Sequence, residues 1–236
     1  MNYHEIKKRI ARFFHGPARR KPWQAERAGL VLGEEGNEVQ RESGGAFQGK
    51  IKFRGQGNIV RFLAESHFTG DIKVHGDNHL IEFGTHSKIK GRIFTNGAGR
   101  KVIFGTHTTA AGVNLVCGEN QDITIGRDCM FSREIEIRTS DAHSVVDALT
   151  GDRLNPAQPV IIGDHVWVGH RVIINKGSVI PSNSIVGAMS FVNGSFEEEG
   201  VILAGTPARV VKRGITWNRQ KKRHFSHEEL DQWRGA

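Results

Sequence analysis

The sequence predicts an all-β solenoid with short terminal helices, a chain wound into stacked three-sided coils, on the strength of two spacings. Ile162, Val168, Ile174, Ile180, Val186 and Val192 stand at six-residue steps. The position four further on is small or branched at Val166, Val172, Ser178, Ser184 and Ser190. A helix turns about 100° per residue, so a six-residue step would scatter these aliphatics around its cylinder. Six residues can instead make one short strand and a bend, and three such units close a triangular coil whose aliphatic positions all point inward. Stacked coils then form parallel sheets on three flat sides, a parallel β-helix.

The first half carries the same pattern at a longer period. Phe62, Phe83, Phe104 and Ile125 are 21 residues apart, with Val60, Ile81, Val102 and Ile123 two residues before them. Ser66, Ser87, Thr108 and Cys129 follow after four residues, and Phe68, Ile89, Ala110 and Phe131 after six. The extra residues per coil are expected at corners such as the GT turns of "FGTHS" and "FGTHT". Three regions follow: a basic N-terminal segment and cap over 1–55, a parallel β-helix over 56–204, and a C-terminal segment with a helical tail over 205–236.

One interval breaks the rhythm. Between Ile125 and Ile162 lies "TSDAHSVVDALTGDRLNPAQ", polar and closed by a proline, inside an insertion placed at 138–159. A long loop on a rigid scaffold is where binding and catalytic groups concentrate, so the chemistry is expected there.

Composition narrows the class. Among 236 residues, 29 glycines, six prolines and one tyrosine describe a turn-rich chain and neither a helical bundle nor a disordered one. No apolar run has the length of a membrane span, and none follows the basic N-terminus as a secretion leader requires, so a cytoplasmic protein is expected. The net charge of +8 is concentrated at the two ends. It suits a phosphorylated cofactor or an anionic membrane surface better than nucleic acid, because no groove-reading element is in evidence. Neither a Walker A nor a GxGxxG fingerprint is present, so ATP and NAD are not expected.

Cys117 and Cys129 lack CxxC spacing and read as small buried residues. His165 and His170, and the repeat-spaced His86 and His107, read as corner residues, and no metal is expected.

With repeat and loop in hand, the chain resembles the hexapeptide-repeat, left-handed β-helix acyltransferases, and within them the sugar O-acetyltransferases. The resemblance rests on the loop histidine of "SDAHSVVD" 24 residues before the "WVG" of "PVIIGDHVWVG", on the hexapeptides, and on the terminal "VILAGTPARVVKR". It covers about residues 137–213. The left hand comes from the resemblance alone, since parallel crossovers in general prefer the opposite one. The resemblance implies acetyl transfer from acetyl-CoA to a sugar or polysaccharide acceptor, of capsule or lipopolysaccharide type, by a homotrimer with sites between neighbouring chains.

An alcohol holds its proton tightly, so attack on a thioester calls for a base that works near neutral pH. The resemblance assigns that role to His143, and Asp141 or Asp147, near it in sequence, could supply a carboxylate to orient the ring, although a solvated loop aspartate is the alternative. Trp167 would line the pantetheine arm or the acceptor, or else pack in the core. Gly169, Gly187 and Ala188 would leave room for the arm close to the backbone, although a glycine at a corner also serves the turn. Arg209 and Lys212 would meet the phosphorylated end of the cofactor. Asn114 would contact the acceptor or the reacting carbonyl. His170 after Gly169, and Asn193 and Gly194 where the family often has lysine, depart from the pattern and touch the cofactor channel.

At the N-terminus, Ile6, Ile10, Phe13 and Phe14 fall at helical spacing among seven Lys or Arg and one Glu. The segment reads either as a cap over the open end of the solenoid or as a helix resting on an anionic membrane. In the tail, "SHEE" reads as a capping box opening a second polar helix. Two alternatives to a sugar O-acetyltransferase stay open: an N-acetyltransferase of an amino sugar or nucleotide sugar, and a non-catalytic hexapeptide-repeat assembly protein.

Overall fold

The computed structural model describes residues 29–33 and 35–235; the basic segment expected to form an N-terminal helix lies outside them. Strand β1 (Leu30–Leu32) precedes four coils, each made of one short and one long strand. These are β2 (Glu38–Arg41) with β3 (Ala46–Arg54), β4 (Ile59–Phe62) with β5 (His67–His75), β6 (Leu80–Phe83) with β7 (Lys88–Thr95), and β8 (Lys101–Phe104) with β9 (Thr109–Cys117). Later coils use three short strands: β10 (Ile123–Ile125), β11 (Met130–Phe131) and β12 (Ile135–Arg138) in the first of them. After the inserted loop come β13 (Val160–Ile162), β14 (Trp167–Val168) and β15 (Ile173–Ile174), then β16 (Val179–Ile180), β17 (Ile185–Val186) and β18 (Phe191–Val192). The antiparallel pair β19 (Ile202–Gly205) and β20 (Ala208–Lys212) ends the stack.

The first side of the prism is a seven-stranded parallel sheet ordered β2-β4-β6-β8-β10-β13-β16. The second and third sides share one 13-stranded sheet, because β3, β5, β7 and β9 bend around a corner instead of stopping at it. Beyond β9 the two sides separate, β11, β14 and β17 on the second and β12, β15 and β18 on the third. Glycine makes the bend possible. Gly49 and Gly70 sit at φ 127° and 141°, and a Cβ on Gly70 would lie 1.8 Å from the Gly91 carbonyl oxygen of the next coil.

Every aliphatic and aromatic position of both repeats is buried. Phe62, Phe83 and Phe104 stack face to face along the axis, with ring centroids 4.9 and 5.4 Å apart, offering the interplanar contact that aromatic pairs favour. Corners carry a second ladder. Glu65, His86, His107, Asp128, His165 and Asn183 all hold left-handed backbone, at φ between 52° and 58°. The His86 and His107 rings stack 5.2 Å apart there.

The coils begin earlier than the expected residue 56. β2 and β3 pair with β4 and β5 at the same 21-residue offset, Glu38 with Ile59 and Phe47 with Phe68. Arg41 stands where the phenylalanine column would continue, and at this end its guanidinium lies over the Phe47 ring at 4.8 Å. A charged residue in an otherwise apolar column hid the first coil from the periodicity.

The C-terminal polar helix opens at the expected capping box but is much shorter than the tail. Only His227–Asp231 is α-helical (α1), and Ser226 and Glu229 do form the reciprocal capping box. The residues before it run back along the left-handed corner as a strap. Ile215 N donates to Gly200 O at 2.9 Å, Thr216 Oγ1 to Asn183 Oδ1 at 2.7 Å, and Trp217 Nε1 to His165 O at 2.8 Å. Arg219 then donates to Cys129 O and Thr109 Oγ1, each at 2.8 Å. The His165 ring is sandwiched between Trp217 and Trp233, at 4.2 and 4.7 Å with near-parallel planes.

Burial pushes the His165 imidazole down to about 4 from its ordinary 6.5, with the Asn183 hydrogen bond pulling the other way. The unfolded chain therefore binds this proton first as pH falls, so the stability the sandwich supplies is complete above pH 6.5 and is lost between 6.5 and about 4. Thermal melts across that window should show the midpoint falling by several degrees more in the parent chain than in His165→Asn, which tolerates the same backbone but has no ring to protonate.

Candidate active site

The inserted loop is an ordered arm. At its root Thr139 Oγ1 accepts from Gly118 N at 2.8 Å, and Ser140 bonds Glu119, whose other carboxylate oxygen accepts from Arg153 at 2.6 Å. Val146 and Arg153 bridge antiparallel, making the arm a short hairpin. Asp147 closes its tip by accepting from Leu149 N and Thr150 N at 2.8 and 2.9 Å, and the Thr150 and Leu149 amides hold its carboxyl below the usual range.

His143 stands on this arm, exposed. Its carbonyl oxygen accepts from Asn155 Nδ2 at 2.9 Å, and the same amide reaches Asp141 Oδ2 at 2.8 Å while Asn155 Oδ1 accepts from Val145 N at 2.7 Å. Lys176 Nζ, from the corner after β15, bonds Asp141 Oδ2 at 2.5 Å and Asn155 O at 3.0 Å. Lys176 first, then Asn155, keeps the Asp141 carboxyl below the ordinary range. Asp141 and Asp147 thus have partners other than the His143 ring: Asp141 pins the arm to the prism, and Asp147 shapes its tip. Asn155 and Lys176 escaped the sequence reading. "NP" in "RLNPAQ" marks a turn, but nothing local links either residue to His143.

Trp167 lies on the second side, outward-facing and 39% exposed, so it is not a core residue. Its ring centroid is 6.1 Å from that of Trp217 in the strap. Gly169 is small because of its own fold: a Cβ there would meet Ala188 N at 2.7 Å and Val186 O at 2.9 Å in the next coil. Gly187 has more room, with the nearest atom Ala204 Cβ at 3.1 Å, and Ala188 is exposed. Gly187 and Ala188 directly follow β17, the strand paired with the β14 that carries Trp167.

Arg209 and Lys212 are exposed on β20, just past the cis Thr206–Pro207 peptide, and Arg209 donates to Ala208 O at 2.9 Å. Asn114 is half-buried on the third side, in register with Glu136. It lines a cleft of about 530 Å3 with Arg92 and Glu136. The departing His170 bonds Glu134 on the rim at 3.3 Å, beside Arg171 at 2.7 Å.

The arm leaves from the corner after the third side, whereas Trp167 lies on the second. His143 and Trp167 are thus carried by different parts of the prism. Burial pushes both Cys117 and Cys129 up to about 12, which leaves their thiols protonated and unreactive at neutral pH. Among the described residues no three metal-ligating side chains converge, and no helix is long and apolar enough to cross a membrane.

If the clamp orders the arm, Asp141→Asn and Lys176→Ala should each speed tryptic cleavage after Arg153 severalfold, and the double variant should be no worse than either single one. Cleavage at the parent rate would show that the arm is held by other means.

No family model matches the chain. Relatives do. A polysialic acid O-acetyltransferase of Escherichia coli O1:K1 / APEC is 36% identical over 101 residues, 43% of this chain and 33% of that protein. Another polysialic acid O-acetyltransferase, from Neisseria meningitidis, is 33% identical over 106 residues, 45% of this chain and 49% of that protein. The chain thus matches between a third and a half of the length of these two curated relatives. A solved polysialic-acid-specific acetyltransferase matches far more completely, at 32% identity over 84% of this chain and 90% of that one, with a TM-score of 0.70. On that match, with coils, arm and strands in place, the chain belongs to the hexapeptide-repeat, left-handed β-helix acetyltransferases, in their sugar O-acetyltransferase branch.

Proposed function

We propose that the protein transfers acetyl from acetyl-CoA to a hydroxyl of a bacterial surface polysaccharide or its sugar unit, with His143 as general base. The observation that carries this reading is the arm itself. A histidine on a long exposed loop between β12 and β13 has no reason to be held by two clamps, Glu119–Arg153 and Asp141–Lys176–Asn155, unless its position matters. The names of the relatives support the acceptor class.

Acetyl-CoA supplies an activated thioester carbonyl. Small residues at Gly187 and Ala188 would let a narrow flexible chain lie close to the backbone, and the exposed Arg209 and Lys212 are the residues that would hold phosphates by charge-assisted hydrogen bonds. His143 accepts the acceptor's hydroxyl proton at a ring nitrogen as the oxygen bonds to the acetyl carbon. The imidazolium then returns that proton to the departing sulfur, so the products are the O-acetyl ester and a free thiol. Asp141 acts as a positioning residue, setting where the arm carries the imidazole. With both cysteines buried and protonated, transfer is direct, without a cysteine-bound acyl intermediate.

Because His143 and Trp167 occupy different sides of the prism, the complete site needs a second copy, and a homotrimer closes the set. The arm is built for that contact: Val145, Val146, Leu149 and Leu154 are exposed along it, Leu149 at 97%.

Acceptor-dependent thiol release from acetyl-CoA, measured over a panel of anionic and neutral oligosaccharides, tests the reading. His143→Ala should lower turnover about a hundredfold or more with the melting midpoint unchanged; a loss within about tenfold would overturn the base assignment. Mixed trimers refolded from equal amounts of His143→Ala and Trp167→Ala chains should recover about a quarter of the parent activity, since a random ring pairs an intact histidine with an intact neighbouring tryptophan that often. No recovery would place both residues in one chain's site.

A further inference from the structure

The C-terminal strap is the largest feature that the proposed reaction leaves without a task. It does more than cover a corner. Going down the left-handed ladder it meets Gly200, Asn183, His165 and then the coil of Cys129 in turn, each through a different residue of its own. The contacts converge on Trp217, which is 5% exposed. Its indole N–H is bound to His165 O, one face lies against the His165 ring, and the Arg219 guanidinium stands 5.8 Å from its centroid. Trp233 closes the far face of His165, with the Arg234 guanidinium 4.6 Å from the Trp233 ring.

Trp217 is therefore a fixed surface, and the side chain it faces outside the corner is Trp167, at 6.1 Å between centroids and 47° between planes. That is the range in which aromatic pairs attract and orient each other. Trp167 otherwise has little to hold it. Its strand is two residues long, it is 39% exposed, and its neighbours up and down the column are Met130 and Ile185.

We propose that Trp217 is a positioning residue for acyl transfer: the strap carries an indole to the edge of the second side to fix the Trp167 ring where the acetyl donor or acceptor passes. The proposal rests on the reading of Trp167 as part of the reaction site. It makes residues 215–235 part of the enzyme's binding machinery rather than a trailing end. A loose Trp167 would hold the passing group less well without touching the reacting atoms, so the cost falls first on binding.

The test is a double-mutant cycle on the full-length oligomer, with KM for acetyl-CoA, KM for acceptor and kcat measured for Trp167→Ala, Trp217→Ala and the pair. Trp217→Ala should raise one KM roughly fivefold to tenfold while kcat falls less, and this penalty should vanish in the Trp167→Ala background. If Trp217→Ala multiplies the loss by the same factor with or without Trp167, the strap is only a structural cover and the proposal is wrong. If Trp167→Ala by itself leaves both constants unchanged, the reading of Trp167 fails and takes the strap's role with it. Should Trp217→Ala not fold, Trp217→Phe keeps a smaller ring against Trp167 and loses the indole N–H bonded to His165 O. Its smaller penalty must likewise disappear without Trp167, and persistence of that penalty overturns the proposal.

Discussion

Everything in this molecule depends on the backbone ladder between coils. Each coil donates its amides to the next one in the same register, so a residue and its counterpart one turn on occupy the same place on the same side. With strands about 4.8 Å apart, any side chain that fits a column is repeated upon itself, and any that does not fit is felt by two neighbours. The phenylalanine stack is the favourable case. At Gly70, with the next carbonyl less than 2 Å from where a Cβ would stand, only glycine is compatible with the ladder at all.

This repetition also explains how a chain of short strands holds a precise site. A two-residue strand such as β14 has almost no stability of its own, yet it is bonded to β11 and β17 on either side and cannot shift without moving both. A rigid prism then offers corners as the only places where new structure can leave. The arm departs at one corner and the strap returns along another. Both are tied down by polar contacts: the ion pairs and Asn155 for the arm, and the hydrogen-bonded tryptophan and histidine sandwich for the strap. Neither has an apolar core, so each depends on the scaffold for its shape.

Charge is distributed to the same end. The arm's clamps pair Arg153 with Glu119 and Lys176 with Asp141, which neutralises its root, while Arg209 and Lys212 stay exposed at the end of the stack. The cationic groups of the described residues are thus divided between those paired in the arm's clamps and those left in solvent.

The six- and 21-residue spacings determined the solenoid by themselves, because inward-facing positions of a coil must be apolar wherever coils stack, and that demand is written at fixed intervals. They likewise marked the insertion, as the place where the interval failed; His143 within it was singled out by the resemblance and not by the spacings. The first coil was illegible because Arg41 interrupts its column at an end where solvent and the Phe47 face accommodate a charge. The tail's course was equally hidden, since a strap is defined by what it lies against and has no period of its own. Partnership across the chain was decided by tertiary structure alone: Asp141 with Lys176 in place of His143, Trp167 with Trp217, and Gly169 answering to the next coil. Those contacts join residues 17 to 50 positions apart in sequence, and only the closing of the coils brings them within reach.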